Sequence, residues 1–287
     1  MIDIPDIYAR AGRPVYSFEF FLPKAPDDLD SFVASVRELK SLHPDFVTLT
    51  YGAGGSARSR TVEAAGRLQR ETGLTTACHL TCVGHSRAEL SSILDRLQGL
   101  GVSHLVALRG DPPKDCSLPL GELKHADELV RLARAHGGFR LGVAAYPEKH
   151  PESASADDDL ARFAGKMRAG ADWAITQLFF DPADYFAFVA RARAAGVTAP
   201  IVPGVMPATG YAQLKRFTAL CGARVPDELD ARLAAVQHDP ARLADEGVAW
   251  AARQCRALLD GGAPGVHFYT LNRSDATARV LAALRRA

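Results

Sequence analysis

Eight short apolar runs alternate with helix-like segments along the 287 residues of this chain, and this alternation limits its possible folds more than any other feature. The runs are rich in β-branched and aromatic residues and are apolar on both faces, which is typical of parallel strands covered by helices. Predicted strands therefore occupy residues 16–21, 46–51, 76–81, 104–109, 141–146, 174–180, 201–206 and 266–271.

The segments between these runs have the periodicity of amphipathic helices. In residues 86–100 the leucines repeat every three or four positions and form one apolar stripe. Ser86 and Glu89 make the capping box that begins this helix. Comparable patterns or capping residues predict helices at 27–40, at 157–169, after Asp181-Pro182 and after Ser274, with two extra helices at 227–236 and 240–260.

Eight strands, each followed by a helix, are the signature of an α/β protein built as a (β/α)₈ TIM barrel. An open, doubly wound sheet also alternates strands with helices, so the number of strands decides between the two. No low-complexity or Pro/Ser-rich linker divides the chain. One barrel domain over residues 1–287 is expected, with the extra helices between strands 7 and 8.

Composition argues against several kinds of partner. The net charge of +1 gives no basic surface for nucleic acid, and no apolar run approaches the roughly 18 residues that cross a bilayer. The five cysteines contain no C-x-x-C pair and do not suggest a disulfide framework. The N-terminus has early acids and lacks the apolar segment of a secretory signal, so a cytoplasmic protein is expected.

Polar residues follow nearly every predicted strand, at the end where a barrel carries its active site. Any one of them could lie on the rim without a function. Their convergence from so many strands predicts an active site. The residues are Glu19, Thr50, Tyr51, His79, Thr81, Arg109, Gly110, Asp111, Tyr146, Gln177, Asn272 and Arg273.

Glu19 is the most informative of these residues. Strand alternation places it on the opposite face of the first strand from Phe18 and Phe20. A carboxyl group among aromatic rings is poorly solvated, so its pKa is expected to be raised, which suits a general acid near neutral pH. The alternative is a buried glutamate paired with Arg or Lys for structural reasons, and the residues alone leave both interpretations open.

Three other motifs are less specific. Gly110 would allow the backbone to approach a ligand closely. The glycine-rich loop 52–56 could bind a phosphate through its N–H groups, or it could be an ordinary turn after a strand. Cys78 and Cys82 lie on one face of an extended strand and His79 lies on the other, so no metal site is expected there.

Seven blocks of sequence together match one enzyme family. They are Ser17-Phe18-Glu19-Phe20-Phe21, Thr50-Tyr51-Gly52-Ala53, His79-Leu80-Thr81-Cys82, Ala107-Leu108-Arg109-Gly110-Asp111, Ala144-Ala145-Tyr146-Pro147-Glu148, Ile175-Thr176-Gln177 and His267-Phe268-Tyr269-Thr270-Leu271-Asn272-Arg273. These blocks resemble the methylenetetrahydrofolate reductase family and occur in the family's order along the chain. That family is a (β/α)₈ barrel which binds FAD, is reduced by NADH or NADPH and then reduces 5,10-methylenetetrahydrofolate to 5-methyltetrahydrofolate. The resemblance implies this activity, with ping-pong kinetics.

The resemblance also implies roles for individual residues. Glu19 matches the acid that protonates folate N10, and Asp111 matches a carboxylate beside the flavin and the pterin. Substrate contacts are implied for Asp111, Gln177, Gln213, Phe217 and Arg273. Contacts with FAD or the nicotinamide cofactor are implied for Thr50, Tyr51, Ala53, His79, Arg109, Gly110, Asp111, Ala126, Tyr146, His150, Asp159, Arg162 and Lys166.

The chain departs from the family pattern at a few positions. His125 stands where relatives have a tyrosine beside the flavin, and Arg162 and Gly165 replace Asn and Arg on the helix that meets the FAD phosphates. Arg162, displaced by one turn, is expected to reach a phosphate. The regulatory domain of eukaryotic members is not expected after the eighth strand, so inhibition by S-adenosylmethionine is not expected either.

Two other functions remain open at this point. One is a metal-dependent barrel hydrolase that uses His79, and the other is a flavin-binding protein without turnover. The resemblance implies small-molecule substrates, a homo-oligomer and neither nucleic-acid nor membrane partners, with no metal. The residues do not decide between NADH and NADPH.

Overall fold

The computed structural model describes residues 2–23, 28–51, 55–111, 121–272 and 275–286, with the side chains of 55–59 left out. Its strands all run parallel in one sheet. They are β1 (Val15–Phe20), β2 (Phe46–Leu49), β3 (Thr76–Thr81), β4 (His104–Leu108), β5 (Arg140–Ala145), β6 (Trp173–Thr176), β7 (Ile201–Val202), β8 (Gly204–Val205) and β9 (Gly265–Tyr269). The sheet order is β7-β6-β5-β4-β3-β2-β1-β9-β8, so β7 and β8 lie at its two edges.

The sheet forms a nearly closed barrel. Its two edge strands, β7 and β8, are separated by Pro203 alone, so the two edges lie side by side. The single strand predicted at 201–206 divides at Pro203, whose lack of an N–H group interrupts the ladder. β7 pairs with β6, and β8 pairs with β9. The carbonyl of Pro203 accepts a hydrogen bond from the backbone of His267 at 2.9 Å, and Gly204 N donates to Thr176 Oγ1 at 2.9 Å. The predicted TIM barrel is therefore confirmed, with its seventh strand split in two.

Helices cover the outside of the barrel. The capping box is present as predicted, since Ser86 N donates to Glu89 at 2.7 Å and Glu89 N donates to Ser86 Oγ at 3.2 Å. Asp181 accepts from Ala183 N at 2.9 Å, which confirms that N-cap. Ser274 lies outside the described residues. The helices are α1 (Ile4–Arg10), α2 (Leu29–Leu39), α3 (Gly55–Thr72), α4 (Arg87–Gly99), α5 (Ala126–His136), α6 (Ala156–Arg168), α7 (Pro182–Ala194), α8 (Tyr211–Cys221), α9 (Asp227–Ala235), α10 (Pro240–Asp260) and α11 (Asp275–Arg285).

Two differences from the predicted elements concern the ends of the barrel. The runs at 46–51 and 174–180 stop being strands at Leu49 and Thr176, and their last residues enter loops at the C-terminal rim. At the opposite end the unpredicted helix α1 covers the barrel. Its first residue, Ile4, is fully buried, and Ile4 N donates to His104 Nε2 at 3.2 Å.

The N-terminal half of the barrel interior is an apolar cluster. Phe46, Val106 and Trp173 point inward from different strands and are almost completely buried. Gly142 makes room for the indole, because a Cβ atom there would lie 2.5 Å from the Trp173 ring. Close packing in the N-terminal half holds the strands in fixed positions, so the polar residues at their C-terminal ends are held in place as well.

Among the described residues, no helix is both long enough and apolar enough to cross a bilayer. Cys78, Cys82, Cys221 and Cys255 are free thiols.

Candidate active site

A cavity of about 860 Å³ opens at the C-terminal ends of the strands. This is the position at which barrel enzymes bind their substrates, and the volume suits a large organic ligand. Most residues predicted from sequence to form a site line this cavity. They are Glu19, Thr50, Tyr51, His79, Arg109, Gly110, Asp111, Ala126, Tyr146, His150, Lys166, Gln177 and Phe217.

Other predicted contacts lie elsewhere. Gln213 is exposed on α8, and Asp159 is half-buried on α6 behind the cavity wall. Arg162 is exposed and its Nε donates to Asp158 at 3.1–3.2 Å, one turn earlier on the same helix. Arg162 does not line the cavity, so its expected contact with a phosphate stays a prediction. Ala53 and Arg273 lie outside the described residues.

His125, the residue in place of the family's tyrosine, immediately precedes α5. It is exposed and does not line the cavity, whereas its neighbour Ala126 does. The wall at this point is therefore formed by a small side chain.

Glu19 lies at the inner end of the cavity, on β1, and is only 8% exposed. Its Oε2 atom is 3.3 Å from His267 Nε2 and 3.3 Å from His79 Nε2, and the Thr48 hydroxyl donates to it at 3.4 Å. The contact with His79 is close in distance but lacks hydrogen-bond geometry, which leaves His79 Nε2 buried without a hydrogen-bond partner among the described groups. The glutamate is thus paired with imidazoles rather than with Arg or Lys.

These partners reverse the expected direction of the Glu19 pKa. Burial acts to raise it, but a protonated His79 and the hydrogen bond from His267 act to lower it, and the pKa lies below its ordinary value. Burial in turn lowers the pKa of His79. The prediction of a raised pKa was therefore wrong for the free protein. The aromatic neighbours Phe18 and Phe20 point to the helices, so the inward face of β1 is polar.

His267 connects Glu19 to a second buried group. Its Nδ1 atom is 2.8 Å from Ser17 Oγ, and both residues are completely buried. Because Nε2 faces a carboxylate it carries a hydrogen, and in the neutral ring Nδ1 accepts from the serine hydroxyl. The parallel pairing of β1 with β9 brings Ser17, His267 and Glu19 into one row, since Ser17 is in register with His267 and Glu19 with Tyr269. Ser17 therefore fixes the ring that holds Glu19.

The end of β9 is attached to the end of β1 beyond the last ladder bond. Asn272 Nδ2 donates to the carbonyl of Phe21 at 2.8 Å, and Phe21 N donates to Asn272 Oδ1 at 2.8 Å. Leu271 and Asn272 adopt positive φ angles of 51° and 59°, a conformation that asparagine tolerates better than most residues. This turn holds Phe21, which is 40% exposed, on the lip of the cavity.

The far wall of the cavity carries a half-buried cation. Lys166 Nζ donates to the carbonyl of Ala144 at 2.5 Å, and burial lowers the pKa of this lysine to about 8. Asp159 acts in the opposite direction, so this predicted residue supports the lysine charge although it does not line the cavity. A half-buried ammonium group with one carbonyl partner can bind an anion.

Arg109 joins two loops at the rim. Its guanidinium binds Glu152 through two hydrogen bonds of 2.5 and 2.9 Å, and its Nε donates to the carbonyl of Gly110. Asp111 Oδ1 lies 3.7 Å away, and its side chain is almost fully exposed. Glu152 also lines the cavity, and no sequence pattern singles it out.

Aromatic and amide side chains complete the cavity wall between Glu19 at the inner end and Lys166 at the far wall. The rings of Tyr146 and His150 lie 4.6 Å apart, centroid to centroid, in an edge-to-face arrangement. Burial raises the pKa of Tyr146 to about 12, while the Gln177 side chain acts to lower it. Tyr146 is therefore a neutral hydrogen-bonding group at neutral pH.

The sequence reasoning missed Ser17, Thr48 and His267 as partners of Glu19. A signal for His267 was present, because strand alternation places it on the same face as Tyr269. Within the described part of the chain, no group of three or more His, Cys, Asp or Glu side chains could hold a metal ion.

Comparison with known proteins gives a consistent result. The family model described as methylenetetrahydrofolate reductase matches residues 4–285. The 5,10-methylenetetrahydrofolate reductase of Pectobacterium carotovorum subsp. carotovorum is 39% identical over 264 residues, which cover 92% of this chain and 88% of that protein. The enzyme of the same name from Escherichia coli K12 is 37% identical with the same coverage. Methylenetetrahydrofolate reductase (NADH) 1 of Arabidopsis thaliana is 34% identical, over 94% of this chain and 48% of the plant protein.

Solved structures agree with the barrel fold. A Clostridium thermocellum protein described as binding two copies of 5-methyl-5,6,7,8-tetrahydrofolic acid aligns with a TM-score of 0.65 at 12% identity, over 98% of this chain and 97% of its own. Dihydropteroate synthase from Stenotrophomonas maltophilia aligns with a TM-score of 0.55 at 14% identity, over 98% and 96%. At such low identity these likenesses show the fold alone. The family match and the bacterial relatives show that this chain belongs to the methylenetetrahydrofolate reductase family of enzymes.

Proposed function

We propose that this protein reduces 5,10-methylenetetrahydrofolate to 5-methyltetrahydrofolate with electrons from NADH or NADPH, which pass through bound FAD in a ping-pong mechanism. The observation that carries the proposal is the buried carboxyl group of Glu19, held by two imidazoles at the inner end of a cavity large enough for two aromatic ligands. The barrel of this chain would carry the whole reaction.

The described residues fit a bound flavin dinucleotide. The half-buried Lys166 ammonium at the far wall suits a phosphate, and His79 Nε2, which lies 3.3 Å from Glu19 Oε2 without a hydrogen bond, suits a polar ring edge. Gly110 has a φ of 81°, and a Cβ atom there would lie 2.9 Å from Thr81, so this turn, which places Arg109 and Asp111 on the rim, requires glycine. Tyr146 and His150 provide aromatic contact between these ends. When bound, FAD supplies two-electron chemistry that no protein side chain offers.

The folate substrate explains why the site needs an acid. Methylenetetrahydrofolate becomes a good hydride acceptor only after its five-membered ring opens to a cationic iminium, and this opening requires a proton on N10. Glu19 is the group at the inner end of the cavity that can donate it. The exposed carboxylate of Asp111 on the rim would stabilise the positive charge that then develops.

The low pKa of Glu19 in the free protein sets a condition on this step. The carboxyl group is ionised at neutral pH, so the site has to take up a proton when the substrate binds. A bound pterin would cover the remaining exposed part of Glu19, and burial raises a carboxyl pKa. His267 and His79 touch the same oxygen, so the cluster can take up one proton beside the position where N10 would lie.

The two half-reactions test this proposal. Purified protein is expected to be yellow, to lose its flavin absorbance on anaerobic addition of NADH or NADPH, and to regain it on addition of methylenetetrahydrofolate. Flavin that is reduced but never reoxidised by folate would indicate a flavin-binding protein without this turnover. A colourless preparation that contains a metal would contradict the proposal altogether.

The family resemblance adds two points to the proposal. We infer a homo-oligomer, which light scattering on the purified protein would measure directly. We also infer a cytoplasmic location, consistent with the four free thiols.

A further inference from the structure

One face of α8 lies along the mouth of the cavity. Gln213, Arg216, Phe217 and Leu220 are spaced at i, i+3, i+4 and i+7, which places them on one side of the helix. Phe217 and Leu220 line the cavity, and Leu220 is 62% exposed. The buried residue Leu214 points elsewhere, toward the core beneath the helix. Arg216 thus belongs to the edge of the helix that borders the opening.

Arg216 is exposed and is held above a cavity-lining ring. Its guanidinium carbon is 5.7 Å from the ring centroid of Phe217, within the range of a cation–π contact. Among the described residues no acid lies within 4.0 Å of it. Nearby cations differ in this respect, since Lys215 pairs with Asp230 at 2.6 Å and Arg224 pairs with Asp184 at 3.1 Å. Arg216 is therefore a positioned positive charge that no described carboxylate neutralises.

The groups along the cavity follow an order that matches an elongated substrate. Glu19 lies at the inner end, the exposed apolar side chains Phe21 and Leu220 lie on the lip, and Arg216 lies at the outer edge. A folate has its reacting pterin at one end, an aromatic ring in the middle and glutamate carboxylates at the other end. With the pterin beside Glu19, the carboxylates would leave the cavity near α8.

We propose that Arg216 is an anion subsite at the cavity mouth, where it binds the acidic outer end of the substrate and contributes to its selection. The expected ligand is the carboxylate tail of the folate, including further γ-linked glutamates where the tail is extended. The phosphates of the nicotinamide cofactor are the other anionic groups that could reach it. This inference rests on the proposed function.

The test measures both half-reactions of the FAD-loaded protein by anaerobic stopped-flow with Arg216→Ala. In the folate half-reaction, the concentration that gives half the maximal rate should rise about two- to fivefold, the effect of one exposed ion pair. The maximal rate should stay unchanged, and the difference should shrink in high salt. Wild type should bind triglutamyl folate more tightly than monoglutamyl folate, and Arg216→Ala should lose most of that preference. Arg216→Lys should retain much of it.

Arg253→Ala is the matched control. Arg253 is also exposed, and its guanidinium carbon lies 5.2 Å from the Trp250 ring, but neither residue lines the cavity. This control should leave both half-reactions unchanged.

Each remaining outcome has a separate meaning. Equal behaviour of Arg216→Ala, Arg253→Ala and wild type with both folates and both nicotinamides would overturn the proposed subsite. An effect confined to the nicotinamide half-reaction, and larger for NADPH than for NADH, would assign Arg216 to a phosphate and overturn its assignment to the folate tail. If wild type itself shows no folate half-reaction, the proposed function fails instead.

Discussion

The two halves of the barrel interior are built from the same strands, yet they have opposite character. In the N-terminal half, Phe46, Val106 and Trp173 form an apolar cluster covered by α1. In the C-terminal half, Glu19 and His267 form a buried polar row that opens into the cavity. Two positions along a strand separate the two halves, as Phe46 and Thr48 show on β2.

The difference shows how one fold divides stability from chemistry. The apolar half buries large side chains in close contact, so it supplies much of the free energy of folding. In the polar half, burial is unfavourable for the charged groups, and hydrogen bonds such as that between Ser17 and His267 offset this cost. Substitutions in the apolar half should therefore change the free energy of unfolding, and substitutions in the polar half should change the reaction.

The largest effect on stability is expected for Trp173→Ala. Removing this fully buried ring should lower the free energy of unfolding by about 3–5 kcal/mol, as measured by urea denaturation. The folded fraction should keep both half-reactions at nearly normal rates. A double-mutant cycle with Gly142→Ala sharpens the point, because the added methyl group meets the indole in wild type and should cost less once the ring is gone. Additive costs would show that the two residues are not in contact.

A smaller effect is expected from pH, through His104 beneath the barrel. Burial lowers the pKa of His104 to about 4, so in the folded state it stays neutral where the unfolded chain binds a proton. Stability should therefore be complete above about pH 6.5, where the unfolded histidine is neutral, and should fall as pH decreases toward 4. The loss over this window should be about 2–3 kcal/mol. His104→Gln should flatten the profile between pH 6.5 and 4.5; an unchanged slope would mean that other groups cause it.

Glu19 contributes in a different window. Its pKa is lowered, so its stabilising contribution is present above its unfolded pKa and is lost only as pH falls through the lower folded value. The two groups can therefore be separated by the pH at which each acts.

The smallest effect on stability is expected for Ser17→Ala, at about 1 kcal/mol. Its informative consequence is on the folate half-reaction. Without the serine hydroxyl, His267 loses the partner that directs its Nε2 hydrogen at Glu19, and the Glu19 pKa should rise. The pH at which folate reoxidation falls by half should shift upward, and reduction by NADH should not change. Ser35→Ala, which removes an exposed serine bonded only to its own helix, is the control.

Much of this architecture follows from local sequence patterns. Periodicity predicted the barrel, the extra helices α9 and α10 and the capping box at Ser86, because each depends on residues close together in the chain. The end positions of the strands likewise predicted much of the cavity lining, including Glu19, and the family resemblance added residues such as Lys166.

The rest depends on contacts that alternation does not specify. Pro203 interrupts the seventh strand, but the pairing of its second part with β9 depends on closure of the barrel, and the pairing of Ser17 with His267 depends on the register between the first and last strands. The sign of the Glu19 pKa shift was mistaken for the same reason, since burial was visible in the sequence and the facing imidazoles were not. Asp158 on the same helix gives Arg162 a local partner, so its expected contact with a phosphate stays a prediction.

The role of Glu19 as the acid can be measured with Glu19→Gln, by anaerobic stopped-flow recording of flavin absorbance in the two half-reactions. Glutamine keeps the shape of the side chain and cannot deliver the proton. FAD content should be unchanged and reduction by NADH near normal, while reoxidation by methylenetetrahydrofolate should be slowed by about 100-fold or more. Equal losses in both half-reactions, or folate reoxidation at the wild-type rate, would contradict the assignment of Glu19 as the acid.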